Sequence, residues 1–344
     1  MPVTQKDIAK AAGVDQSTVS RILRNDPRAE KISEKVRLLV LETAKKMKYS
    51  FNVSAVTMRG QINRSTVALI CSAKEHVGAS YHIFLFSLIR QLNEHSYGVR
   101  IYSSGDYESI FREIAANQIY YVICSQNTEE NFLRLGKLCL QYKVKAIFNC
   151  AKQYFPEIPV FADDNETNVR MMIRHLYEKG HRRIGFVAGG ASNRTADQRI
   201  AACRKEMAAL DLDCPEESFY REVYSVPSFH QYLKRWQGTA LCCLDNGIAS
   251  LAESALLYAG FKIPGDISII SYGHGLSDPG HYPRMSHIST GVQNNFSVIQ
   301  KYLFTDGTET HASDYTTFLP GTLVEGDTVA VPGNTDLSGK FATL

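Results

Sequence analysis

The chemistry-bearing residues nearest the start of the chain are Gln16, Ser17, Ser20, Arg21 and Arg24. At about 100° per residue they share one face of a helix. Val19, Ile22 and Leu23 take the opposite face at the spacing of a buried stripe. Amide, hydroxyl and guanidinium groups displayed together are the donors and acceptors that meet base edges and phosphates in a DNA groove. The same spacing also suits a small helical bundle with a polar surface, and periodicity alone admits both readings. Charge adds a second signal. Residues 1–60 hold 12 Lys or Arg against 6 Asp or Glu, a net of +6, whereas the remainder holds 26 against 29, a net of −3. A basic excess confined to one end points to a nucleic-acid contact there and to a body that does something else.

That polar face needs elements to carry it. Thr4 followed by Asp7 is a capping-box-like pair ahead of a helix that runs to Ala12 and stops at Gly13. Asp15 is placed to cap the second helix. A third follows Ser33, with Val36, Leu39, Val40, Thr43, Ala44 and Met47 as the stripe that covers the first two. Two short helices joined across a glycine, the second polar on its outer face, form a helix-turn-helix that sets its second helix in the major groove.

The body is of a different kind. With 44% hydrophobic and 21% charged residues in 344, the composition excludes disordered and fibrous classes. Its apolar runs fall short of the roughly 20 residues that a bilayer requires. The opening MPVTQKDIAK lacks the apolar core of a signal peptide, so a cytoplasmic location is expected, with no membrane partner. The eight cysteines show no C-x-x-C pair and no histidine spacing suited to zinc, and are expected to act as small buried hydrophobes, with neither metal nor cofactor. TVALIC, VRIYS, YYVIC, KAIFNC, RRIGFVAG, TALCCL and DISIISY read as strands between helical stretches, the pattern of parallel α/β sheets. Seven such strands exceed one compact sheet and imply two lobes.

VTQKDIAKAAGVDQSTVSRILRND resembles the N-terminal signature of the LacI/GalR (lactose-repressor) family of bacterial transcription regulators, nearly position for position. The likeness continues through Ser33, Val36 and Tyr49 into NVSAVTM, which is similar to the family's hinge helix. It then runs through DDNETNVRMMIRHLYEKGHRRIGFVAGG and GFKIPGDISII in the body. The resemblance implies an α/β fold with a helix-turn-helix head (1–50), a hinge (51–61) and a two-lobe periplasmic-binding-protein-like sensor (62–330). The lobes would be about 62–161 with 291–319, and 162–290 with 320–330; the Gly, Pro and polar residues of 331–344 read as a disordered tail. It assigns base reading to Gln16, Ser17 and Arg21, and phosphate contacts to Thr4, Thr18, Ser20 and Asn25. Ala55 and Met58 would work the minor groove, Met58 standing where the family has a leucine wedge.

The resemblance further implies a small carbohydrate-type effector bound between the lobes. Arg199 matches the family's ligand-gripping arginine. At other ligand positions the chain departs: Asn246 falls where an aspartate is usual, His274 takes an acidic position in SYGHG, and Cys150 takes another. Tyr81 and His82 stand in the first cleft loop, and Tyr224 and Phe229 are further stacking candidates. Loss of three acids points to an anionic ligand such as a sugar acid, sugar phosphate or sulfated sugar. The expected protein is a homodimer that represses carbohydrate-metabolism genes from a palindromic operator on double-stranded DNA. The tail lacks the heptads of a tetramer. An effector-insensitive regulator with a decayed cleft is the alternative. A transport-type binding protein would lack the head, and an enzyme finds no G-x-S-x-G, H-E-x-x-H, Walker A or G-x-G-x-x-G sequence.

Overall fold

In the computed structural model, the described residues are 3–24, 26–47, 49, 62–72, 79–103, 105–126, 128–189, 194–273, 282–290, 292–304, 316–333 and 337–344. Helix α1 (Gln5–Ala12) opens with Thr4, whose hydroxyl accepts from the Asp7 N–H while Asp7 reaches back to the Thr4 N–H at 2.9 Å. Gly13 ends it in the left-handed region at φ 66°, where a Cβ would be strained. Helix α2 (Gln16–Leu23) follows at once, but Asp15 makes no side-chain capping bond, contrary to expectation. A 3₁₀ turn at Pro27–Lys31, capped by Asp26, leads to α3 (Glu34–Lys46). Ile8, Val19, Ile22, Val40 and Ala44 form the core of this head. Leu39 departs from its expected place in the stripe and is exposed, as is Leu38.

The body builds two six-stranded sheets, one residue pattern used twice. The first contains β1 (Asn63–Cys71), β2 (Gly98–Tyr102), β3 (Ile119–Ser125), β4 (Lys145–Asn149), β5 (Val160–Asp163) and, late in the chain, β11 (Thr316–Leu319), in the order β2-β1-β3-β4-β5-β11. The second contains β6 (Ile184–Val187), β7 (Phe219–Tyr220), β8 (Ala240–Cys243), β9 (Ser268–Tyr272), β10 (Ser286–Ser289) and β12 (Thr322–Val324), in the order β7-β6-β8-β9-β10-β12. β1 to β5 pair in parallel, as do β6 to β10, and β12 runs antiparallel to β10. All seven strands read from the sequence are present. The five others have two to four residues each.

The crossovers are helical: α4 (Ala79–Glu94), α5 (Tyr107–Ala116) and α6 (Glu129–Gln141) serve the first sheet. Helices α7 (Asn165–Glu178), α8 (Arg194–Ala209), α9 (Val226–Trp236) and α10 (Asn246–Tyr258) serve the second. Strands covered on both faces must be apolar throughout. Accordingly Ile184, Phe186, Cys242 and Ile270 enter one core of the second sheet, and their neighbours Val187, Leu241, Cys243 and Ile269 enter the other. Six cysteines are buried and two half-buried, none in a disulfide.

By contact the chain divides into two compact units. One holds residues 1–74, 87–161 and 295–317; the other holds 75–86, 162–294 and 318–344. α11 (Val292–Ile299) runs on into a π-helical turn, Gln300–Phe304, whose Phe304 stacks on Tyr97. The expected disordered tail is corrected in its last residues. Ser338–Thr343 form α12, Phe341 is 3% exposed against Phe261, and Lys340 binds the Asp266 carboxylate and the Gly260 carbonyl. One aromatic anchor and one partly buried ion pair hold a segment whose composition alone suggested no order.

Candidate nucleic-acid interface and ligand-binding residues

On α2 the two faces separate as the spacing predicts. Val19 and Ile22 are 0% and 3% exposed, while Gln16, Ser17 and Arg21 are exposed and Thr18 and Ser20 half-buried. An amide, a hydroxyl and a guanidinium thus stand on one side of a short helix with no apolar neighbour between them. Thr4 is exposed at the start of α1, its hydroxyl donating to Asp7 at 2.7 Å, so its backbone end is fixed while one side of the residue faces solvent. Asn25, Ala55 and Met58 lie outside the described residues.

Two of the ligand candidates, Arg199 and Asn246, lie at the C-terminal ends of the second sheet's parallel strands, where open α/β sheets bind their ligands. Arg199, on α8, is held on four sides. Its Nε donates to Asn165 Oδ1 at 2.9 Å and its Nη1 to the Leu244 carbonyl at 2.7 Å. Its guanidinium carbon stands 3.3 Å from the centre of the Tyr272 ring, and Nη2 lies 3.9 Å from Asp163 Oδ2. The side chain is 11% exposed. Burial pushes the Asp163 carboxyl up from its ordinary value, and the Arg199 charge pulls it back down.

Asn246 begins α10, directly after the capping Asp245, whose carboxylate accepts from the Ile248 N–H at 2.9 Å. It is 4% exposed; its Oδ1 accepts from the Ser271 hydroxyl, and its buried Nδ2 has no hydrogen-bond partner among the described residues. A buried amide N–H left unmade costs on the order of 1–3 kcal/mol. Arg199 and Asn246 therefore reach the same strand ends, the first through Leu244 and the second two residues later. His274, the third expected member, lies outside the described residues. Tyr81 and His82 sit on α4, Tyr81 half-buried against Phe84 with ring centres 6.3 Å apart and His82 exposed.

One sequence candidate is corrected. Phe229 is 0% exposed in the core between Tyr220 and Tyr232, so no ligand reaches its ring. Tyr224 is not overturned: its hydroxyl donates to the Leu251 carbonyl at 2.7 Å and the residue stays half-buried. Conversely, Asp163, Asn165 and Tyr272 escaped the sequence reading. The run Asp163-Asp164-Asn165 before a helix signals a cap, and Asp164 does accept from the Thr167 N–H at 2.9 Å. Nothing local announces that its neighbours meet an arginine more than thirty residues away. The expectation that acids had left the ligand position is likewise tempered, because Asp163 puts a carboxylate beside Arg199.

Comparison with known proteins bears on both sites. Residues 4–52 match the family model "Bacterial regulatory proteins, lacI family", and residues 173–329 match "Periplasmic binding protein-like domain". The HTH-type transcriptional regulator DegA of Bacillus subtilis is 26% identical over 283 residues, which cover 79% of this chain and 82% of that protein. The HTH-type transcriptional regulator GalR of Escherichia coli is 25% identical over 299 residues, 83% of each. Among solved structures, a Lac repressor dimer bound to operator and the anti-inducer ONPF has a TM-score of 0.63 at 19% identity, covering 96% of this chain and all of that one. A complex of the transcriptional regulator CelR with cellobiose has a TM-score of 0.62 at 19% identity, covering 95% and 100%. At such identities the structures establish the fold.

Proposed function

The chain belongs to the lacI family of bacterial regulatory proteins, and from that premise we propose that it represses carbohydrate-metabolism genes and is released or engaged by a small carbohydrate-type effector. The head, residues 1–50, reads a palindromic operator. Gln16, Ser17 and Arg21 address base edges, and Thr4, Thr18, Ser20 and Asn25 fix register on phosphates. Residues 51–61 form the hinge, with Ala55 and Met58 at the minor groove. The relatives are transcriptional regulators, and the chain is read as one of them rather than as an enzyme.

The observation that carries the effector reading is the combination of Arg199, a guanidinium fixed in one plane, with Asn246, whose buried amide nitrogen has no partner among the described residues. A ligand acceptor satisfies the Asn246 N–H, and ligand hydroxyls donate to Asp163 and accept from Arg199 Nη2. Tyr81, His82 and His274 complete the ligand contacts in this reading. Asp163 favours a polyhydroxylated ligand, and the two histidines favour an acidic version of it. Calorimetric titration of full-length protein with neutral sugars and their matched sugar acids tests this. Binding that Arg199→Lys and Asn246→Leu each abolish is expected; a screen of both classes with no heat and no thermal shift would leave Arg199 a purely structural group and the regulator insensitive to effector.

A homodimer is proposed with the two-fold axis that a palindrome demands. The second unit offers a surface for it: Val223 and Tyr258 are 81% and 86% exposed, Leu251 lies beside Tyr224, and Val226 and Tyr258 line one groove of about 370 Å³. The groove is mixed, with His230, Gln231 and Lys234 beside its apolar members, a composition that suits the polar-rimmed contact of two copies. Leu251→Asp is expected to shift sedimentation from dimer towards monomer. Unchanged sedimentation would place the interface elsewhere.

A further inference from the structure

The second unit contains a chain of buried polar groups that leads away from Arg199. Tyr272, at the end of β9 and 2% exposed, supports that arginine twice: its ring lies under the guanidinium, and its hydroxyl donates at 3.0 Å to Asn165 Oδ1, the same oxygen that accepts from Arg199 Nε. The Tyr272 hydroxyl in turn accepts from Asn168 Nδ2 at 2.8 Å. Asn168 is 0% exposed on α7, and its Oδ1 accepts the Gly321 N–H at 2.7 Å. Every polar atom of the Asn168 amide that the network needs is thereby satisfied. An apolar side chain of similar size in such a place costs nothing to desolvate, whereas a buried amide pays its way only when all its bonds are made.

Gly321 stands where the chain passes from β11 of the first sheet to β12 of the second. A Cβ there would lie 2.6 Å from Ile288 Cγ2, 2.7 Å from the Ser289 carbonyl oxygen and 3.2 Å from Asn168 Oδ1, so the position admits no side chain. Ser289 ends β10, shortly before the chain leaves this unit, and the Asp164 N–H, just after β5, donates to the Leu319 carbonyl at 2.9 Å. Of these backbone groups, the Gly321 N–H is the one that bonds the Asn168 side chain.

We propose that Tyr272 and Asn168 are positioning residues that hold the Arg199 guanidinium in its plane and tie that plane to the crossover backbone at Gly321. The proposal rests on the reading of Arg199 as an effector contact for its biological use, and on geometry alone for its existence. A ligand acceptor that draws the guanidinium off the Tyr272 ring loosens Asn165, then the tyrosine hydroxyl, then Asn168, and so changes the bond that pins Gly321. The signal needs two discrete arrangements of packed groups rather than a continuous deformation.

The test uses full-length, ligand-free protein labelled with ¹⁵N-glycine, and reads amide hydrogen exchange at Gly321 against Gly185 in β6 as the internal reference. Tyr272→Phe keeps the ring and removes the relay hydroxyl; Arg199→Lys keeps the charge and removes the Nε donor. Each is expected to accelerate Gly321 exchange about fivefold, the effect of one ordinary hydrogen bond, with Gly185 unchanged. The double variant is expected to exchange no faster than Tyr272→Phe alone. Gly321 exchange at the wild-type rate in Arg199→Lys, or two effects that multiply as independent ones, would overturn the proposal. Should Arg199→Lys fold poorly, Asn165→Ala cuts the same link with the same expected outcome. Since no effector enters the experiment, its failure is distinct from the failure of calorimetry to find a ligand.

Discussion

Arg21 and Arg199 are chemically identical and placed to opposite ends. Arg21 is exposed on a short helix, and in the proposed reading its fork meets a guanine edge. Arg199 is sandwiched, with Nε and Nη1 bound by protein and its face on Tyr272. Removing the first therefore acts on recognition and leaves the fold alone. Arg21→Ala is expected to cost about 1–3 kcal/mol of discrimination, so that fluorescence anisotropy shows a much larger loss on operator than on a random duplex. Equal losses on the two would contradict base reading. Both arginines were legible from sequence, Arg21 through helical spacing and Arg199 through the family motif. Their partners were not equally legible. Gln16 and Ser17 are Arg21's neighbours in the chain, whereas Asp163, Asn165, Leu244 and Tyr272 reach Arg199 from three separate segments.

At the scale of elements, the helices that declared themselves did so through caps. The Thr4–Asp7 pair and Gly13 bound α1 in sequence and in structure alike, because a cap is a local exchange of hydrogen bonds. The strands missed, β5, β7, β10, β11 and β12, have two to four residues, too few to display a period, whereas β6 and β8, no longer than four, sit inside the longer apolar runs RRIGFVAG and TALCCL. Helix α12 was missed for a related reason: six residues that include Gly339 have no helical stability of their own. It exists because Phe341 fills the core against Phe261. Phe341→Ala is expected to destabilise the second unit by about 3–5 kcal/mol, read as a lower urea midpoint. A change under about 0.5 kcal/mol would mean that the helix is merely laid on the surface. At the head, Thr4→Ala is expected to cost only about 1 kcal/mol, visible as a lower melting temperature of the isolated transition of the head or as weaker operator binding at elevated temperature.

For the molecule as a whole, charge and burial set the response to solution conditions. The basic head implies operator binding that falls steeply with salt, as phosphate-bound counterions are released. Stability should respond to pH through His181, which is 1% exposed and bonded to Thr239, Ser268 and Ala330. Burial lowers its pKa below the ordinary 6.5, as it does for His175, so the folded state resists the proton that the unfolded chain accepts. Stability from this source is full above about pH 7.5 and is lost as pH falls through the unfolded value of 6.5 towards the folded one. The urea midpoint should therefore drop between about pH 7.5 and pH 5.5, and drop less in His181→Gln. An identical slope in the variant would exclude His181 as the group responsible.

The sequence by itself determined the class of the head, the face it turns outward and the parallel α/β character of the body, and it singled out Arg199. Those features are written in local spacing, capping and motif, which act over one turn of helix or one strand. Only the tertiary structure decided what surrounds that arginine, that the Asn246 amide nitrogen has no partner among the described residues, that the last residues fold into a core, and that Asn168 joins Tyr272 to Gly321 across 104 and 153 positions of chain. Contacts at such separations come from sheet order and from the convergence of crossovers. They exist once the strands have been laid beside one another, and no periodicity along the chain encodes them.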